Sequence, residues 1–367
     1  MKFPMNKLAR FGMVLLFLYC FAVAVSGSSP QQANESQAST GARQGTQYSL
    51  AVEVPLVVVD ALVTDEDGTV LSGLKRENFR ILDDGKPQVI RDFAPTTAPI
   101  TIVILMEYSG IAYDYFAYKA AYWATGFLDH LEQDDWVALV TYDIKPTVRA
   151  DFTKSKPAIE QALRELSYPE FREANMFDAI AETLDQLAEV KGKKSILLIT
   201  TGGDTFSRTT LDELYTKLKD TDVTIFSIAI AEQEYLMAEM RGGGSYIEYL
   251  QMKNQLQTFA SRTGGFAWFP RFEGELPDLF RSVGGTLRNQ YAISFSPSKE
   301  SRDGQYHKLK VEVIGVDGRQ LRVKNEKGKY RKVTVYAREG YVAPTVSTQD
   351  LSFFWHWCWS PKKVCRR

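Results

Sequence analysis

Histidine and cysteine are scarce in this chain: three of each occur in 367 residues. Cys20 lies in the N-terminal apolar segment, so Cys358 and Cys365 are the pair left for chemistry elsewhere. With His356 they make three candidate ligands, too few for a closed structural zinc site, and a local disulfide is the better reading of the two cysteines in an oxidising compartment. His130 and His307 belong to no recognisable nucleophile–base arrangement. A phosphate-binding loop is also missing, because Gly242-Gly243-Gly244 is not followed by Lys-Ser/Thr. Charge of one sign is lacking too. The 44 basic and 45 acidic residues leave a net charge of −1, which offers nothing to a nucleic acid. These absences argue against an enzyme and against a nucleic-acid binder.

What is present begins with an export signal. Lys2, Lys7 and Arg10 precede the apolar stretch Phe11 to Val25, and Ala24 with Ser26 fits a cleavage site. The stretch is short beside the ~20 residues a membrane span needs, so cleavage is favoured over an uncleaved anchor. Residues 1–26 therefore read as a signal peptide, and the protein as periplasmic or secreted. Residues 27–47, rich in Gln, Ser, Ala and Gly, form a flexible linker.

Residues 48–97 read as a small β unit. The run Val52 to Thr64 is apolar and extended, and Asp65-Glu66-Asp67-Gly68 is a turn. Phe79-Arg80-Ile81-Leu82 is a strand closed by Asp83-Asp84-Gly85-Lys86, after which Val89-Ile90 is expected to pair back. Residues 288–344 return to this pattern, with Tyr291, Ile293 and Phe295 alternating and His307 to Val313 alternating strictly. Either β segment alone is too short to bury much core, so the two are expected to form one sandwich-like module.

Between them, residues 98–287 alternate strands and helices, the pattern of a doubly wound α/β domain. Helices are expected over Tyr115–Leu131, Ala158–Leu166, Met176–Val190, Leu211–Leu218, Tyr249–Ser261 and Leu276–Leu287. The run Ile100 to Met106 shows no alternation, as befits a strand covered on both faces. It ends at Glu107-Tyr108-Ser109-Gly110. Ligands of open α/β sheets bind just beyond such strand ends, so a carboxylate and a hydroxyl there raise the question of a metal.

The order of elements, Glu107-x-Ser109, Phe177-Asp178-Ala179-Ile180 and Thr200-Thr201-Gly202-Gly203-Asp204-Thr205 resemble a von Willebrand factor type A domain. The flanks Asn78-Phe79, Asp84-Gly85-Lys86-Pro87, Tyr291 to Pro297 and Arg338-Glu339-Gly340-Tyr341 resemble the exported bacterial "VWFA-related" family, best known from acidobacteria. The resemblance covers Val52 to Pro344. It implies a Rossmann-like domain flanked by, or inserted in, the β module. It also implies a metal-ion-dependent adhesion site at the carboxyl edge, with magnesium held by Asp-x-Ser-x-Ser, a Thr and an Asp.

Here that pattern is eroded. Glu107 takes the first Asp slot and Ser109 matches, but Ile111 replaces the second Ser. The Thr slot falls at Ala174 or Asn175, and the last Asp slot holds Thr201. Asp114, Asp178 or Asp204 could compensate, although the family pattern makes Asp178 and Asp204 structural. Losing anionic ligands removes most of the attraction for a dication. No cofactor is therefore expected, and Glu107 and Ser109 are the candidate ligands if Mg2+ binds. A buried Glu107 would need partners, Ser109 or Thr201. The expected function is protein binding or adhesion without an enzymatic step, through Glu107, Tyr108, Ser109, Ile111, Tyr113, Asn175 and Thr201. The alternative is a divalent-metal-dependent binder with an altered site. The partner is an unidentified protein.

Residues 345–367 form a tail in which Phe353 to Trp359 is densely aromatic and Lys362, Lys363, Arg366 and Arg367 follow. Its plain reading is a mobile or back-packed terminus. Its sharper reading is contact with a membrane surface.

Overall fold

A computed structural model describes residues 55–66, 68–95, 98–110, 112, 126–230, 232, 240, 246–298, 301–324, 328–343 and 345. The signal segment, the linker, Ile111, Tyr113, Asp114, most of the helix expected over Tyr115–Leu131, and the tail with Cys358 and Cys365 lie outside the described residues. Among the described residues no helix is long and apolar enough to cross a membrane.

Strand β5 (Ile100–Glu107) is buried at every position. It runs through the middle of a six-stranded sheet ordered β10-β9-β8-β5-β6-β7, with β6 (Trp136–Tyr142), β7 (Pro146–Thr153), β8 (Lys193–Thr200), β9 (Thr224–Ala229) and β10 (Ala267–Trp268). Successive residues of a strand face opposite sides, and β5 feeds two cores. Ile102, Ile104 and Met106 join one of them, and Val103 and Leu105 the other. The first core takes Ile159 and Leu163 of α1 (Lys156–Arg164) and Phe280, Val283 and Leu287 of α5 (Leu276–Arg288). The second takes Ile180 and Leu184 of α2 (Met176–Ala188), Leu214 and Leu218 of α3 (Leu211–Asp220), and Phe259 of α4 (Tyr246–Thr263). Gly265 lets α4 come down onto the sheet, for a Cβ there would stand 1.9 Å from the Ile225 carbonyl oxygen.

Strand β7 is an edge strand antiparallel to β6. No residue in it is fully buried, so it carries no apolar alternation for the sequence to display.

The remaining strands form two antiparallel sheets around a third core. One has the order β13-β14-β1-β11-β4 and the other β15-β12-β2-β3. Their members are β1 (Val57–Asp65), β2 (Phe79–Asp83), β3 (Lys86–Gln88), β4 (Ile90–Pro95), β11 (Gln290–Phe295), β12 (Tyr306–Val313), β13 (Arg322–Lys324), β14 (Tyr330–Ala337) and β15 (Gly340–Val342). Both sheets mix strands from before and after the α/β segment: β1 pairs with β11, and β2 with β12. Asp84 at φ +46° and Gly85 at φ +80° make the two-residue turn joining β2 to β3, the positive-φ geometry that tight hairpins favour. The expectation that Val89-Ile90 pairs back on this hairpin is corrected. Ile90 opens β4, which crosses to the other sheet and pairs with β11.

Where β5 enters and α5 leaves, Asp135 ties the ends together. Its side chain is fully buried against a nearly buried Arg288, whose guanidinium pairs with it. It also accepts the backbone N–H of Ile100 at 3.0 Å and of Glu132 at 2.7 Å. Removing one partner of a buried pair strands the other. Asp135→Ala should therefore lower the unfolding free energy by about 3–5 kcal/mol, read from the urea midpoint. The exposed pair of Lys154 with Asp134 at 2.9 Å is the control, since Lys154→Ala should cost less than ~1 kcal/mol.

Candidate functional site at the carboxyl edge of the sheet

Glu107 closes β5 with its side chain turned inward. Its carboxylate meets the start of the loop that follows β8. Oε2 accepts the Thr201 backbone N–H at 2.7 Å, the Thr201 hydroxyl at 2.8 Å and the Thr200 hydroxyl at 2.9 Å. Oε1 accepts the Ser109 hydroxyl at 2.8 Å. The two partners named from sequence, Ser109 and Thr201, both bond to it. Thr200 is a third that the sequence reading missed.

Thr200 also receives the Tyr142 hydroxyl at 2.9 Å and the Gly202 N–H at 2.9 Å. Tyr142, Thr200 and Glu107 thus form a chain of hydrogen bonds under the loops. Burial, and then the Glu107 charge, push the Tyr142 phenol far up, so it stays a neutral donor. The signal for both residues was strand register. Tyr142 is the parallel partner of Glu107, and Thr200 follows Ile199, the partner of Met106. Three neighbouring strands therefore end in polar side chains at one level.

The other loops are tied together by backbone-directed bonds. Asn175 accepts the Phe206 N–H at 3.0 Å and donates to the Ile144 carbonyl at 3.0 Å. Asp204 accepts the Phe177 N–H at 2.9 Å in the first turn of α2, where a carboxylate suits the helix N-terminus. Asp178 accepts the N–H of Arg208 at 3.0 Å and of Thr209 at 2.8 Å. Ala174 and Thr205 exchange bonds across the same gap, at 2.8 and 3.2 Å.

Burial decides what these residues can offer. Glu107 is 1% exposed, Ser109 0%, Tyr108 4%, Asn175 8% and Thr201 8%. They are the floor of the edge, not its face. Tyr108 lies among them, its hydroxyl donated to the Ser167 carbonyl. The face itself carries Ile144 and Phe206, exposed by 36% and 70%. Both line a groove of about 840 Å³ that also touches Asn175, Asp178, Arg208 and Lys217.

The family model described as "von Willebrand factor type A domain" matches residues 101–282. The chain carries a von Willebrand factor type A domain. No curated protein matches the chain in sequence. Among solved structures, a von Willebrand factor type A protein from Catenulispora acidiphila is 12% identical, with a TM-score of 0.40, covering 81% of this chain and 76% of its own. An aerotolerance-related membrane protein from Bacteroides fragilis is 12% identical, with a TM-score of 0.38, covering 51% of this chain and 98% of its own. Proximal thread matrix protein 1 from the mussel byssus, with a zinc occupied MIDAS motif, is 11% identical at a TM-score of 0.39. The match covers 56% of this chain and about half, 50%, of the mussel chain.

A type A domain implies a divalent cation at this edge. The donor set does not fit one. Among the described residues of the eroded pattern, Glu107 is the carboxylate, and its oxygens are taken by the donors of Ser109, Thr200 and Thr201. Ser109 Oγ also accepts the Ala112 N–H at 3.2 Å. Asp178 and Asp204 are held by backbone N–H groups. A hard dication wants several anionic or neutral oxygens with lone pairs to give.

Two outcomes follow. Glu107→Gln places amide hydrogens against groups that already donate, and should destabilise the fold by about 2–3 kcal/mol in urea unfolding. Asp178 gives a pH dependence. Burial raises its pKa, but the bonds from Arg208 and Thr209 outweigh that and hold it below the ordinary value. A carboxylate with a depressed folded-state pKa stabilises above its unfolded pKa, and that contribution fades as pH falls through the folded value. The stability gap between the parent and Asp178→Asn should therefore be full at pH 7 and shrink below about pH 4, measured by urea midpoints across that range.

Proposed function

We propose that the chain is an exported, non-enzymatic protein-binding module whose type A domain engages its partner through the carboxyl-edge loops without a bridging cation. The observation that carries this reading is the Glu107 carboxylate, bonded by the donors of Ser109, Thr200 and Thr201 at 2.7–2.9 Å. A carboxylate so engaged has its charge balanced by oriented dipoles, and a dication would have to break those bonds to bind. Recognition then falls to the groove between Ile144 and Phe206, whose walls also carry the charged groups of Lys145, Glu182, Asp185, Arg208 and Lys217. Exposed apolar surface rimmed by polar groups is what protein partners use. The basic residues Lys2, Lys7 and Arg10 ahead of an apolar core support the export part of this reading. Non-catalytic interaction is the general business of type A domains, and no nucleic acid is called for by a net charge of −1.

The test is affinity capture from an envelope fraction with the immobilised chain, partners being identified by mass spectrometry. The same proteins should be captured in EDTA and in millimolar Mg2+. Phe206→Asp and Ile144→Asp should each lower the yield about 10-fold or more, as anchors at an interface centre do. Capture that collapses in EDTA and returns with Mg2+ would sink the cation-free reading in favour of an altered metal-dependent site. Capture indifferent to both substitutions would remove the groove from the proposal.

A further inference from the structure

Outside the type A domain, the four-stranded sheet gathers a second polar cluster. Asp83 ends β2, Asp84 begins the turn after it, His307 is in β12, and Asp303 is in the loop before β12. One ligand atom from each of Asp83, Asp84 and His307 falls within 4.8 Å of the others. His307 Nδ1 is hydrogen-bonded to Asp84 Oδ2 at 2.7 Å and lies 3.7 Å from Asp83 Oδ1, so a bound ion would take the place of the proton between them. A tetrahedral sphere with bonds near ~2.0–2.1 Å sets its ligand atoms ~3.3–3.4 Å apart, between those two distances.

Three features distinguish this cluster from an ordinary surface ion pair. First, Asp83 is 2% exposed, and its Oδ1 has no hydrogen-bond partner although it points at the imidazole. A buried carboxylate oxygen whose nearest cation is an imidazole at 3.7 Å is weakly compensated, and a closer positive charge would satisfy it better. Second, the remaining polar atom of every candidate ligand is already held. Tyr341 donates to Asp83 Oδ2 at 3.2 Å, the Lys308 N–H donates to Asp84 Oδ1 at 2.9 Å, and His307 Nε2 faces Asp303 Oδ1 at 3.1 Å. Metal-ligating histidines characteristically give their second ring N–H to a carboxylate, and ligating carboxylates are themselves hydrogen-bonded. Third, the imidazole is packed, stacked on the Tyr341 ring at 5.7 Å, so its direction is fixed.

We propose that Asp83 Oδ1, Asp84 Oδ2 and His307 Nδ1 bind a divalent transition-metal ion, zinc first among them, and so clasp the strand before the type A domain to the strand after it. Imidazole with carboxylates is a donor set suited to zinc and neighbouring metals, and three protein ligands leave a position for water. Asp84, whose side chain is 49% exposed, opens that position to solvent. This site does not depend on the cation status of the carboxyl edge.

The test uses the full chain with its purification tag removed, in a Cys358→Ser/Cys365→Ser background that takes away the tail thiols. After chelator stripping, Zn2+ is titrated by calorimetry and by thermal unfolding, with Mn2+ as a second probe. The parent should take up one equivalent and gain thermal stability. Asp84→Asn keeps a residue tolerant of positive φ and should weaken binding at least ~10-fold, as should Asp303→Asn, which loosens the imidazole. Lys154→Ala, an exposed change remote from the cluster, should bind as the parent does. Cooperative unfolding of each variant without metal shows that it is folded. No uptake by the folded parent, or uptake of the same strength in Asp84→Asn and His307→Gln, would overturn the proposal and leave a proton-bridged ionic cluster.

Discussion

The pairing of β1 with β11 is the constraint on which the rest of the molecule depends. Its register runs from Val57↔Phe295 to Leu62↔Gln290. This antiparallel ladder brings together chain segments that flank the whole type A domain. Closing so long a segment costs little more than closing a short one, because loop entropy grows only with the logarithm of length. What the ladder needs is a core to reward it, and Val59, Ala61, Ile293 and Phe295 supply one with Ile81 and Val311 from the facing sheet. Once β1 and β11 are joined, β14 and β4 have edges to pair with, and both ends of the α/β segment are fixed. Lys193 then reaches from the start of β8 to the Leu287 carbonyl and the Gln290 side chain, knitting the junction.

At the opposite end of β5 the chain faces a different problem, a carboxylate in a place that water does not reach. A cation is one solution to a buried negative charge; oriented dipoles are another. The extra methylene of Glu107 carries its oxygens to the Thr200–Thr201 corner. There two hydroxyls and a backbone N–H converge on it, with the Ser109 hydroxyl completing the set. Tyr142 and Gly202 complete Thr200 in turn. The loops that form the face are thereby held from beneath, which leaves Ile144 and Phe206 free to differ without disturbing the fold.

The α/β domain was legible because β5 and β8 are unbroken apolar runs, and because α2 and α5 each keep one apolar face. Strand β7 was not, since its residues are half-exposed and an edge strand needs no pattern. Glu107 could be singled out from its place at a strand end. Its partner Thr200 could not, because that contact depends on the register of β5 against β8, which periodicity does not encode. The same holds for the polar cluster in the β module. Sequence read Asp83-Asp84-Gly85 as a turn and His307 as one residue of a β run, and both descriptions are true of the local chain. Only the antiparallel register of β2 with β12, Asp83 opposite Leu309, brings these distant stretches into contact. The burial of Tyr108 was hidden in the same way, as nothing in a single strand end says which way its ring turns.

The mixed parentage of the two β sheets has a mechanical side. A pull applied between the chain preceding Val57 and the chain following Val342 enters through β1 and leaves through β15. Both strands belong to sheets that already unite the two flanks of the type A domain. Tension is therefore shunted across the β1–β14 ladder, whose chain runs directly on into β15, and across β1–β11 and β2–β12, and the six-stranded sheet stays outside the load path until those ladders part. A fold built this way can be tugged at both ends while its carboxyl-edge loops keep their shape.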